Sequence, residues 1–127
     1  MSVRFKMVAK QNNLVSPPVV KYYPCAVSKG EVTLDDLAKI ISERCTLSKV
    51  DCFGVMMAMS EVIGETLSKG SIVKIDSLGT FALTLMGTAA DTPEPLGKTN
   101  IKGAKIVYKP SKDLKKTIKE LDFKRMR

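Results

Sequence analysis

Apolar and polar residues alternate with a period of two at the start of the chain, switch to a helical period, and then return to two. Residues 3–10, Val-Arg-Phe-Lys-Met-Val-Ala-Lys, place Val3, Phe5 and Met7 on one side and Arg4 and Lys6 on the other, the pattern of a half-exposed strand. Gln11 to Pro18 is polar and closes on two prolines, which reads as a turn. Val19 to Val27 is a second extended segment, so a hairpin is expected. Pro24, lacking an amide proton, confines that segment to a sheet edge or a bulge.

The helical period begins at Thr33. With Asp36 three residues later it forms a capping-box pattern, in which the hydroxyl meets an orphan amide and the acid reaches back. Leu34, Leu37, Ile40 and Ile41 supply the apolar stripe of this first helix. Ser48 and Asp51 repeat the device and open a longer helix running to about Lys69, where Gly70 offers a left-handed stop. Phe53, Met56, Met57, Val62, Ile63 and Leu67 spread over more than one stripe of it. A helix so broadly apolar needs cover on several sides, and in a short chain a partner subunit is an economical cover.

From Ile72 the period is two again. Ile72-Val-Lys-Ile reads as a strand, Asp76-Ser-Leu-Gly as a turn and Thr80 to Met86 as a strand with Phe81, Leu83 and Leu85 on one face. Gly87 to Gly97 lacks periodicity and is a long loop or a mobile arm. Ile101 to Lys109 is a strand with Ile106 and Tyr108 on one face and Lys105, Val107 and Lys109 on the other. Pro110 ends it, and Ser111 caps a last helix expected to end near Leu121. On a helical wheel Leu114, Ile118 and Leu121 form one stripe, while Lys112, Lys115, Lys116 and Lys119 lie about 100–200° away from Leu114. Four lysines gathered in one arc suit a phosphate-facing surface.

Charge sharpens this picture. The net charge of the 127 residues is +8. Residues 1–30 hold five basic groups and no acid, residues 31–81 are mildly acidic, and residues 102–127 hold ten basic groups against three acids. Positive charge segregated to the two ends favours a polyanion, because each neutralised phosphate releases condensed counterions. The chain has no histidine, which removes the commonest general base and any Ser-His or Cys-His nucleophile pair, so catalysis, a cofactor and a small-molecule substrate are not expected. Cys25, Cys45 and Cys52 form no C-x-x-C pair and are read as buried or half-buried free thiols of a reducing cytoplasm; no metal site is expected. No apolar run is long enough to span a membrane, and no secretory leader pattern opens the chain.

Three strings, in order, resemble the HU/IHF family of histone-like DNA-binding proteins. They are Leu47-Ser-Lys with Val50 to Leu67 and Lys69-Gly, Ser77-Leu-Gly-Thr-Phe-Ala-Leu, and Tyr108-Lys-Pro-Ser-Lys-Asp-Leu-Lys. The resemblance runs from about Thr33 to Leu121. Residues 1–30 are foreign to ordinary HU and resemble the extension of a longer, HU-HIG-type branch. This implies an α+β, IHF/HU-like fold: two N-terminal helices, a three-stranded antiparallel saddle sheet with a β-arm, and a short C-terminal helix, plus an N-terminal β segment. It divides the chain into a strand or hairpin extension, 1–30, and an HU-like DNA-binding domain, 31–127.

The function the resemblance implies is non-enzymatic, largely sequence-independent binding of double-stranded DNA by a cytoplasmic, nucleoid-associated architectural homodimer that condenses DNA. Lys109, Lys112 and Lys115 fall on the family's closing motif, while Lys98, Lys102, Lys105, Lys116 and Lys119 are candidate DNA contacts from their own patterning. In the family a basic arm tip carries a proline that wedges between base pairs. The corresponding stretch, Met86 to Lys98, holds no arginine and includes Asp91 and Glu94; Pro93 and Pro95 are candidate wedges or plain loop prolines. Thr84 and Met86 stand on a strand that is basic in the family. The alternative function is an HU scaffold that keeps its dimer core and serves protein partners, with weak or no DNA binding.

Overall fold

The computed structural model describes residues 2–89 and 100–126. Its order is β1 (Ser2–Asn12), β2 (Val19–Ala26), α1 (Leu34–Ser42), α2 (Lys49–Ser68), β3 (Val73–Ile75), β4 (Gly79–Gly87), β5 (Ile101–Pro110), α3 (Lys112–Lys119) and β6 (Asp122–Arg125). These form two compact units, one of Met1–Thr33 with Thr117–Arg127 and one of Leu34–Lys116.

In the first unit the expected hairpin is present. β1 pairs antiparallel with β2 from Phe5↔Ala26 to Asn12↔Val19. Pro24 sits on β2, an edge strand of the order β2-β1-β6, where its missing amide proton breaks no ladder. β6 pairs parallel with β1 from Ser2↔Asp122 to Phe5↔Arg125, and Met126 N donates to Phe5 O at 2.8 Å. The periodicity did not reveal this strand: the last helix was expected to reach Leu121 but ends at Lys119, and after Glu120 and Leu121 the chain enters β6. A four-residue strand with one apolar side chain, Phe123, carries too little pattern to be seen locally.

In the second unit α1 and α2 pair, and both ends of α2 are chemically marked. Ser48, in extended conformation, accepts from Asp51 N at 3.1 Å. At the other end Ser71 N donates to Thr66 O at 3.3 Å and Gly70 N to Leu67 O at 2.9 Å, with Gly70 at φ +87°, a Schellman stop. Lys49 Nζ meets Asp35 Oδ2 at 3.1 Å between the helices, an exposed pair of small energetic weight.

Among the described residues only Ala38, Cys52 and Leu67 have buried hydrophobic side chains. Leu37, Ile40 and Ile41 of α1 and Val50, Val55, Met59 and Val62 of α2 are exposed. Cys52 is buried and Cys25 half-buried, but Cys45 is exposed, contrary to the sequence expectation, because it lies in the turn between the helices. The expected strands from Ile72 onward form the antiparallel sheet β3-β4-β5. Its first turn needs Gly79: φ is +141°, and a Cβ there would collide with Lys109 O and lie 2.9 Å from the Tyr108 ring. Phe81 and Tyr108, paired across β4 and β5, place their rings 5.0 Å apart, and Tyr108 OH donates to Leu78 O at 2.8 Å. No helix among the described residues is long and apolar enough to cross a membrane.

Candidate nucleic-acid interface

The β4–β5 register decides which lysines share a face. Thr80 pairs with Lys109 and Thr84 with Lys105, while Phe81, Leu83 and Leu85 pair with Tyr108, Ile106 and Ala104. Directly opposed residues project to the same side, so the sheet has one aromatic-aliphatic face and one bearing Lys105 and Lys109. Pairing on the other edge adds a residue that the sequence reading did not name. Lys74 of β3 lies opposite Thr80, which makes a cross-strand row Lys74–Thr80–Lys109. The paired positions of that face carry no acid. The sequence shows Lys74 only as one cation in an apolar run, and the register is what joins it to Lys109.

Lys102 stands apart. The β4–β5 pairing steps from Met86↔Gly103 to Gly87↔Ile101, leaving Lys102 without an opposed residue at the irregularity. Along β5 it has the parity of Ile106 and Tyr108, not of Lys105 and Lys109.

Lys112, Lys115, Lys116 and Lys119 are all exposed on α3. The start of that helix is held to the β3–β4 turn by Ser111. Its N–H donates to Leu78 O at 3.1 Å, its hydroxyl donates to Ser77 O at 2.9 Å, and the same oxygen accepts from Leu114 N at 3.2 Å. Lys74, Thr80 and Lys112 accordingly line one hollow of about 470 Å³, together with Asp76 and Asp113. The structure therefore brings Lys112 to the same end of the sheet as the Lys74–Lys109 row. Lys98, Pro93 and Pro95 lie outside the described residues. No group of three potential metal-ligating side chains occurs among the described residues.

A helix pair, an antiparallel sheet turning on a buried glycine and a short lysine-bearing helix define an HU-like scaffold. The chain belongs to the HU-HIG family, described as an HU domain fused to wHTH, Ig, or Glycine-rich motif, whose profile matches residues 1–125. Among solved structures it is similar to a candidate bacterial DNA-binding protein from Bacteroides vulgatus ATCC 8482 (TM-score 0.69, 14% identity), covering 99% of this chain and 50% of that one. It is thus about half the length of that protein. It is also similar to HU from an Anabaena HU–DNA cocrystal structure (TM-score 0.53, 21% identity), covering 69% of this chain and 98% of that one. No curated protein matches the sequence.

Proposed function

We propose that this protein binds double-stranded DNA with little sequence preference, as a non-enzymatic architectural protein of the cytoplasmic nucleoid, and that it acts as a homodimer. The observation that carries the reading is the acid-free row Lys74–Thr80–Lys109, with Lys105 on the same face and Lys112 at the same end of the sheet. Such a face suits the sugar-phosphate backbone, which offers charge but no base identity. The exposed apolar side chains of α1 and α2 support a second copy as their cover.

The test is binding of linear and pre-bent duplexes at two or more salt concentrations, followed by fluorescence anisotropy. Phosphate-driven binding gives a log-log slope of about −0.9 per phosphate contacted; a slope near zero rules it out. Replacing Lys112, Lys115, Lys116 and Lys119 together with Ala is expected to weaken all duplex sequences equally. Preference for the pre-bent duplex supports shape recognition. The second reading, a scaffold for protein partners, is favoured by the arginine-free stretch with Asp91 and Glu94. A stable dimer that shifts no linear, nicked or bent duplex at low salt would establish it over the first.

A further inference from the structure

The family strings and the lysine arc draw attention to residues 74–119, yet five basic groups precede residue 31 with no acid among them. The strand registers show where four of them go. On β1, Arg4, Lys6, Val8 and Lys10 alternate to one face; opposite them stand Lys124 on β6 and Cys25, Tyr23 and Lys21 on β2. The cross-strand pairs Arg4↔Lys124 and Lys10↔Lys21 are therefore cation against cation. Like charges directly opposed destabilise a sheet. No ion pair links any of these five cations to another described residue, and the single acid on the face, Asp122, sits at its end opposite Ser2.

The other face of the same sheet is apolar, with Val3, Phe5, Met7, Pro24, Ala26 and Phe123 lining one cavity. A sheet with one apolar and one polar face favours packing the first and leaving the second in water. On the basic side Arg4, Lys29 and Lys124 line a separate hollow of about 240 Å³, and Lys10 Nζ stands 5.5 Å from the centre of the Tyr23 ring. From Arg4 to Lys10 the cations extend over about 20 Å of strand. Over that length each DNA strand presents about six phosphates.

We infer that the basic face of the β2-β1-β6 sheet, formed by Arg4, Lys6, Lys10, Lys21 and Lys124, is a second binding surface for the DNA sugar-phosphate backbone. It deepens the DNA-binding reading above and rests on it. Its ligand is the duplex backbone, because the face spreads its cations along about 20 Å of strand, a spacing that matches a row of phosphates, and carries besides them one aromatic ring and Asn12 at its end. The charge repulsion within the two cation pairs is relieved when phosphates lie over them.

The test compares the full-length protein with a variant carrying Lys6→Thr, Lys10→Thr, Lys21→Thr and Lys124→Thr, all at exposed strand positions where threonine is well accommodated. Anisotropy with a duplex of about two to three helical turns is measured between 50 and 200 mM salt. Loss of two to four phosphate contacts lowers the magnitude of the log-log slope by about 2 to 4 and weakens binding at least about tenfold at the low-salt end, with residual binding by the lysines of β3, β5 and α3. An unchanged slope and affinity overturns the inference while leaving the DNA-binding reading intact. If the unaltered protein binds no duplex, both fall. Should the variant fold poorly, amine-reactive footprinting of the unaltered protein reads the same surface: Lys6, Lys10, Lys21 and Lys124 are expected to become protected when duplex is added. Equal labelling with and without duplex, while Lys109 and Lys112 are protected, overturns it.

Discussion

Gly79 shows how far a single position controls the basic sheet. Its φ of +141° is a region that side chains other than glycine avoid, and the space a Cβ needs is taken by Lys109 O and the Tyr108 ring. Gly79→Ala is expected to cost at least about 1–3 kcal/mol and lower Tm by several degrees in a thermal melt; an unchanged Tm would show that the turn can open without loss. The phenol of Tyr108 contributes separately. Tyr108→Phe keeps the ring beside Phe81 and removes only the 2.8 Å bond to Leu78 O, so a loss of about 1 kcal/mol is expected. At this scale much was readable beforehand: the Leu-Gly-Thr-Phe string pointed to the turn, and Ser48 to its helix start. Lys74 was not, because its membership of the Lys109 row follows from pairing and not from its neighbours in sequence. Cys52 adds a pH-dependent term. Burial first, then the neighbouring Cys45 thiol at 3.9 Å, pushes its pKa above the ordinary thiol value of 9.0. The folded state therefore holds the proton more tightly than the unfolded chain. Its contribution to stability is full below about pH 9 and is lost as pH rises through the folded pKa. Cys52→Ala should flatten that alkaline decline in urea melts.

Elements whose pattern is local were recovered closely, and those whose pattern is distant were not. The helices α1 and α2 carry their periodicity within their own residues, α2 also its caps, and the strands from Val73 to Pro110 carry alternation and a glycine turn. β6 has neither, since what makes it a strand is its parallel pairing with β1, more than a hundred residues earlier. The first strand likewise runs from Ser2 to Asn12, beyond the 3–10 window, because partners at both ends extend it. This dependence has a measurable consequence. Ending the chain after Leu121 removes the strand that, among the described residues, pairs with residues 2–4, while the ladder from Phe5 to Asn12 keeps β2. Hydrogen exchange in a peptide covering residues 2–5 is expected to accelerate, with exchange in β4 and β5 unchanged. Equal protection in the truncated chain would mean that β6 adds nothing to the sheet.

For the whole molecule, the shortage of buried side chains is the strongest constraint on its working state. With three buried apolar residues among those described, most apolar side chains are left half-buried or exposed, and a second copy over α1 and α2 would add to the area removed from water. Val55 and Met59, one helical turn apart on α2, are 59% and 43% exposed within one chain. If the chain works alone, Val55→Asp with Met59→Asp changes two solvated positions, and the effect on stability is within about 0.5 kcal/mol per site. If a second copy covers α2, the same changes put two unpaired carboxylates into an apolar interface, and the penalty is several kcal/mol. The two cases separate cleanly in sedimentation equilibrium and in melts at several protein concentrations. The unaltered protein is expected to sediment as a dimer with a Tm that rises with concentration, and the double variant to dissociate or unfold. A monomeric parent with an indifferent variant would overturn the homodimer. It would also leave the broad apolar girth of α2, visible from Phe53 to Leu67 in the sequence, needing a different partner as its cover.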